Sequence, residues 1–334
     1  MRLDWPHTPV QGGATSITKV GHMHPFRFGF QATVTDAPEL VRTARAAEAA
    51  GFDVFQVGDH VGDHLTPFVA LATAAGVTTT IRLGTLVCNN DLRHPVLVAQ
   101  EIATLDRLSD GRAELGMGAG HSFTEYAAMG QPFDPPSVRK ARLAEAIEII
   151  GPLLDGDAVT YEGDHYRVVD AHALRPVQSR VPLLVGVNGR TALAHAARHA
   201  DVVAPTMLGR TLDDGQHHEV RWEADRLDAT MDTIRSAAGA RAPRIELHAL
   251  VQAVVPTEDR KAAARDLSVR LATRADDVLA TPFLCLGTHE EMAQHLLDCR
   301  ARWGISYFTV RDIDQFAPVM ALVRALDGTA RSNS

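Results

Sequence analysis

Eight short apolar stretches, each running into polar or glycine residues and then into a helix-patterned segment, constrain this chain more than any other feature. Residues 26–31 (FRFGFQ) alternate like a strand, and apolar runs at 53–57, 81–87, 112–117, 181–187, 201–206, 245–255 and 305–310 supply seven more. Between them, apolar residues recur three or four apart. Leu40, Ala44 and Ala47 form one such stripe, Val98, Ile102 and Leu105 a second, and Leu143, Ile147, Ile150 and Leu154 a third. Asp36 caps the first helix, Gly51 closes it, and Ser109-Asp110-Gly111 breaks the third. Composition does not shift within residues 26–327, so no linker divides them. Eight unbroken βα units predict an α/β fold, a (β/α)8 TIM barrel with insertions after strands four and seven. An open doubly wound sheet is the alternative, and the polar residues after every strand count against it. Residues 1–25, irregular and proline-containing, read as a flexible arm, and residues 328–334 as a disordered tail.

In a barrel of this kind the site is built just past the C-terminal ends of the strands. That rule nominates Gln31, Asp59, His60, Asn89, Asn90, Gly118, Ala119, Gly120, His121, Ser122, Asn188, Gly189, Arg190, Thr206 and Arg311. Glycines at 116, 118 and 120 leave backbone without Cβ atoms and allow close approach of a flat or phosphorylated ligand. A dinucleotide fingerprint fails, because His121 and Phe123 stand where its last glycine would fall. Gly186, Val187, Asn188, Gly189 and Arg190 lie between a strand and a helix N-terminus, a place where free N–H groups and the helix dipole favour an anion; an Asn-Gly turn is the plainer reading. Arg311 is a second anion candidate, with a salt bridge to Asp312 or Asp314 as the alternative. His60 suits proton transfer, against the alternative of a structural histidine at a strand end. Asp59 is placed to orient it or to contact a bound ligand, and Glu125 and Tyr126 follow as further candidates. Asn89 and Asn90 suit hydrogen bonding to a polar ligand edge or simple turn formation. Asp59, His60, Asp63 and His64 have spacing that suggests a metal, yet no further ligand set accompanies them, and no metal is expected.

Net charge is −8, from 33 basic and 41 acidic residues, with no run of like basic charge, which argues against nucleic acid as a partner. The three cysteines, Cys88, Cys285 and Cys299, lack metal or disulfide spacing. No apolar run reaches the ~18 residues needed to span a membrane and no signal-peptide core is present. A soluble, cytoplasmic protein is expected.

The segments 26–32, 47–60, 82–95 (RLGTLVCNNDLRHP), 105–120 (LDRLSDGRAELGMGAG), 181–190 (VPLLVGVNGR) and 304–312 together carry a family signature. In this order and spacing the chain resembles the luciferase-like flavin/deazaflavin oxidoreductases, most closely the branch that uses the deazaflavin coenzyme F420. The resemblance implies a deazaflavin ring in the barrel mouth, a cis peptide at Leu86-Val87 behind it, Gly118 to Gly120 as a backbone wall, and the coenzyme phosphate at Gly186 to Arg190. It also implies hydride transfer to or from a small organic substrate, no metal, and a homodimer. In sugar-phosphate dehydrogenases of this family a glutamate occupies the position of His121 as acid partner to the histidine, so that activity is placed in doubt here. An FMN-dependent monooxygenase on the same fold and a coenzyme-binding protein without turnover are the alternatives.

Overall fold

The structure, a computed structural model, describes residues 24–211 and 218–332. Its eight barrel strands are β1 (Arg27–Ala32), β2 (Val54–Val57), β3 (Arg82–Thr85), β4 (Ala113–Gly118), β5 (Leu183–Val187), β6 (Val202–Pro205), β7 (Glu246–Leu250) and β8 (Ile305–Val310). Every neighbouring pair is parallel, in the order 3-2-1-8-7-6-5-4. Pairing of Leu83 with Ala113 and Gly84 with Glu114 brings β4 back to β3 and closes the sheet into the expected barrel. All residues of β2, β4, β6 and β8 are buried, which is why these strands read as continuous apolar runs rather than alternating ones.

The helices that follow the strands are α1 (Ala37–Ala49), α2 (Pro67–Ala75), α3 (Pro95–Leu108), α4 (Pro136–Asp155), α5 (Arg190–His199), α6 (Ala224–Ala238), α7 (His289–Trp303) and α8 (Ile313–Ser332). Asp36 caps α1 through a bond from the Glu39 amide, and Thr288 with Glu291 forms a capping box on α7. The stripe predicted on α4 is the buried one: Leu143, Ile147, Ile150 and Leu154 all face the barrel.

The insertions follow β4 and β7, as predicted, and one more follows β6. After β4 come the short helix Phe123–Ala128 and, beyond α4, the hairpin Val159–Glu162/Arg167–Ala171. After β6, the strand Leu208–Thr211 pairs with His218–Val220. The predicted strand 245–255 divides: β7 stays in the barrel, while Ala253–Pro256 pairs with Leu284–Gly287 outside it. Of the 1–25 arm, residues 1–23 lie outside the described residues. The tail expected from residue 328 is helical as far as Ser332, because one glycine costs a helix only about 1 kcal/mol and does not by itself end it.

At the N-terminal end of the barrel, the Arg27 guanidinium bonds Glu114 at 2.5 Å and Glu246 at 2.6 Å, and Tyr307 donates to Glu114 at 3.2 Å. These buried charges close the bottom and leave the opposite end for a ligand.

Candidate active site

The strand ends converge on a cavity of about 440 Å³, lined among others by Gln31, His60, His121, Ser122, Glu125 and Arg311. His60, just past β2, points its Nδ1 at Glu125 Oε1, 2.8 Å away, and the Val61 amide donates to the other carboxylate oxygen at 3.3 Å. The His60 side chain keeps 42% of its surface exposed and Glu125 only 13%, so the acid braces the imidazole from behind while the ring stays open to the cavity. His121 lies edge-on to His60 with ring centroids 5.7 Å apart, and His218 is 5.4 Å beyond. Desolvation first, then the neighbouring His60 and His218, lowers the His121 pKa to about 4. It is therefore a neutral ring at physiological pH, able to donate or accept a hydrogen bond.

Asp59 does not orient His60. Its carboxylate turns away and takes a short bond from Arg93, a 3.0 Å bond from the Asn89 amide and a weak one from Cys88 Sγ. The acidic partner of His60 is Glu125 instead, reached across 65 residues of sequence from the helix Phe123–Ala128. Asp59, His60, Asp63 and His64 form no metal-binding group among the described residues.

The Leu86-Val87 peptide is cis. Gln31 donates from its amide to Leu86 O at 2.5 Å and accepts from Arg311 Nε at 2.7 Å, and Arg311 reaches Gln252 at 3.1 Å. The ends of β1, β3, β7 and β8 are thereby tied together. Arg311 forms no ion pair with Asp312 or Asp314, and its charge faces the cavity without a carboxylate partner among the described residues.

The glycines at the end of β4 and just beyond it have a packing cause that the sequence does not reveal. A Cβ on Gly116 would stand 2.0 Å from Thr85 O, on Gly118 2.5 Å from Val87 Cγ2, and on Gly120 2.2 Å from the Tyr126 hydroxyl. The missing side chains therefore admit neighbouring protein atoms, seating the end of β3 against β4. Asn89 serves the same junction, accepting from the Asp91 amide and from Tyr126 at 3.3 Å. Asn90 donates to Tyr166 at 3.1 Å, while its Oδ1 is buried without a partner. Ala119 and Gly120 offer their carbonyls to Arg139, which stacks on Phe133.

Gly186 and Val187 end β5, and Gly189, with φ of 87°, opens α5 with no side chain capping its amides. Asn188 is occupied: its amide holds Leu208 O at 2.9 Å and its carbonyl takes the Met207 amide at 2.8 Å. Lys140 of α4, which sequence reasoning passed over, brings its Nζ within 3.4 Å of where a Gly189 Cβ would stand. Uncapped amides, Arg190 at the first turn and Lys140 alongside make a donor set suited to a phosphate. Asn89, Asn90, Gly118 to Gly120 and Gly186 to Arg190 do not line the His60 cavity, so the predicted residues divide between two neighbourhoods of the mouth.

The fold and site together define a parallel (β/α)8 barrel whose mouth carries a histidine–glutamate pair and, apart from it, an uncapped helix N-terminus flanked by Lys140 and Arg190. The sequence model of the luciferase-like monooxygenase family matches residues 18–307, and the chain belongs to that family. It is 34% identical over 226 residues to the F420-dependent glucose-6-phosphate dehydrogenase of Nakamurella multipartita, covering 63% of this chain and 66% of that one. The corresponding enzyme of Beutenbergia cavernae is 38% identical over 185 residues, 52% of this chain and 55% of the relative. The chain thus matches about half to two thirds of the length of these relatives. Among solved structures, the coenzyme F420-dependent tetrahydromethanopterin reductase of Methanopyrus kandleri superposes with a TM-score of 0.69 over 89% of this chain and 97% of its own, at 20% identity. An F420-dependent secondary alcohol dehydrogenase in complex with an F420-acetone adduct gives 0.70 over 90% and 99%, also at 20%. At such identities the agreement is one of fold.

Proposed function

We propose that this protein is an F420-dependent oxidoreductase that moves a hydride between the deazaflavin and a small organic substrate. The observation that carries the reading is the His60–Glu125 pair, an exposed imidazole backed by a shielded carboxylate on the wall of a cavity large enough for a small molecule. The names of the relatives support the choice of coenzyme, and the donor set around Gly189 fits an anionic, phosphate-bearing ligand. Bound deazaflavin would supply the two-electron chemistry. The chain's own part is to hold the anion at the α5 N-terminus with Lys140 and Arg190, and to present the Asn90 Oδ1 acceptor to a polar edge. His60 gives or takes the proton of the substrate oxygen as the carbonyl and alcohol forms interconvert, and Glu125 stabilises the imidazolium. His121 stands beside His60 as a neutral hydrogen-bonding ring, in place of a second carboxylate, so the substrate differs from a sugar phosphate in this reading. The expected homodimer is part of the proposal.

Titration of the purified protein with F420 and separately with FMN tests the reading, with ring fluorescence and thermal stabilisation as readouts. F420 binding with no FMN response supports it. FMN binding alone moves the chemistry to a monooxygenase with a partner reductase, and binding of neither overturns both. F420 binding that survives in His60→Ala, with no turnover by the unaltered protein under either redox direction, leaves a coenzyme-binding protein.

A further inference from the structure

On the outer helical layer, far from the mouth, lies a cluster that the reaction does not use. His195 and His199 are four residues apart on α5, so both rings fall on one face, and they stack with centroids 4.3 Å apart. Glu148 of α4 faces them, with Oε1 3.2 Å from His195 Nε2. One donor atom from each of the three lies within 4.8 Å of the other two. Tetrahedral ligands of a zinc-sized ion stand about 3.3 Å apart, so small side-chain rotations complete the set.

We propose that Glu148, His195 and His199 form a binding site for a divalent transition-metal ion of the zinc class, with water as the fourth ligand. Its second layer is already in place. The Tyr161 hydroxyl, from the hairpin strand Val159–Glu162, bonds Glu148 Oε2 at 3.1 Å and leaves Oε1 turned toward His195. The two histidines occupy the last turns of α5, where the helix carbonyls present partial negative charge. Arg198 and Arg241 oppose a cation there, although Arg241 is committed to the carbonyls of Ala197 and Ala200. The neighbouring groove between α4 and α5, about 430 Å³ and lined by Glu148 and His199, gives an ion and its water access. The ion would fasten α4, α5 and the hairpin to one another. Because His199 lies about 14 Å along α5 from Arg190, it would act on stability and not on the chemistry at the mouth.

The test is metal titration of untagged, chelator-stripped full-length protein, with Zn²⁺ followed by calorimetry and thermal unfolding, and Co²⁺ by its visible spectrum. One equivalent of tight binding with a raised melting temperature is expected. His199→Ala and, with an unchanged circular dichroism spectrum, Glu148→Gln should abolish it, Tyr161→Phe should weaken it by about tenfold, and His121→Ala should leave it intact. Absence of saturable binding, an equivalent that survives both His199→Ala and Glu148→Gln, or one lost in His121→Ala, overturns the site.

Discussion

His60 Nδ1 and Glu125 Oε1 are 2.8 Å apart and come from elements separated by 65 residues, one at the end of β2 and one on the short helix after β4. The pair sets the first expectation. His60→Ala should lower kcat by about 10²–10⁴-fold while leaving F420 affinity roughly unchanged. Glu125→Gln, which keeps an acceptor but removes the charge, should lower kcat by less, with little change in KM. Steady-state kinetics beside a coenzyme titration checks both, and a parallel loss of coenzyme affinity would contradict the assigned roles.

Asp59 gives the opposite expectation. With its carboxylate committed to Arg93 and the Asn89 amide, Asp59→Asn should cost about 2 kcal/mol of stability, measured by denaturant unfolding. Turnover at a temperature where the variant is folded should remain near that of the unaltered protein.

The anion cradle is tested at Gly189 and Lys140. Gly189 has φ of 87° and Lys140 Nζ lies beside it, so Gly189→Ala strains the backbone and crowds the lysine. Both Gly189→Ala and Lys140→Ala should weaken F420 binding, and raised salt should weaken the binding of the unaltered protein more than that of Lys140→Ala.

Gly116→Ala should be severely destabilising. Its Cβ would stand 2.0 Å from Thr85 O, in a strand pair where Thr85 Oγ1 also bonds the Gly116 amide and carbonyl. A loss of about 3 kcal/mol or more is expected from a denaturation midpoint, or failure to accumulate as folded protein.

His248 makes stability depend on acid. It is fully buried, bonds Thr309 at 2.9 Å, and burial followed by Arg27 lowers its pKa to about 3. The unfolded chain takes up this proton near the ordinary imidazole value while the folded chain does not, so the folded state loses stability as pH falls through the range between the two. The slope this group adds is about 1.4 kcal/mol per pH unit. Unfolding of His248→Gln measured across pH 6.5 to 4 should lack that increment.

What the sequence determined by itself is the periodic part of the protein. Strand and helix identities, the closed (β/α)8 order and the choice of strand ends for the site follow from local spacing, because each element buries a face whose residues are near neighbours in the chain. Gln31, His60, His121, Ser122 and Arg311, nominated by that rule, line one cavity. Tertiary structure decided which groups pair. Asp59 adjoins His60 in sequence yet turns to Arg93, whereas Glu125 crosses from β4 to reach it. The glycines at 116, 118 and 120 read in the sequence as room for a ligand, and the tertiary structure adds that they make room for Thr85, Val87 and Tyr126. Lys140 joins Gly189, and Glu148 joins His195 and His199, only because α4 packs against α5. Side-chain partnerships depend on where separate helices and strand ends are carried by barrel closure, and hydrophobic periodicity, which fixes the elements, does not encode which polar group each end will meet.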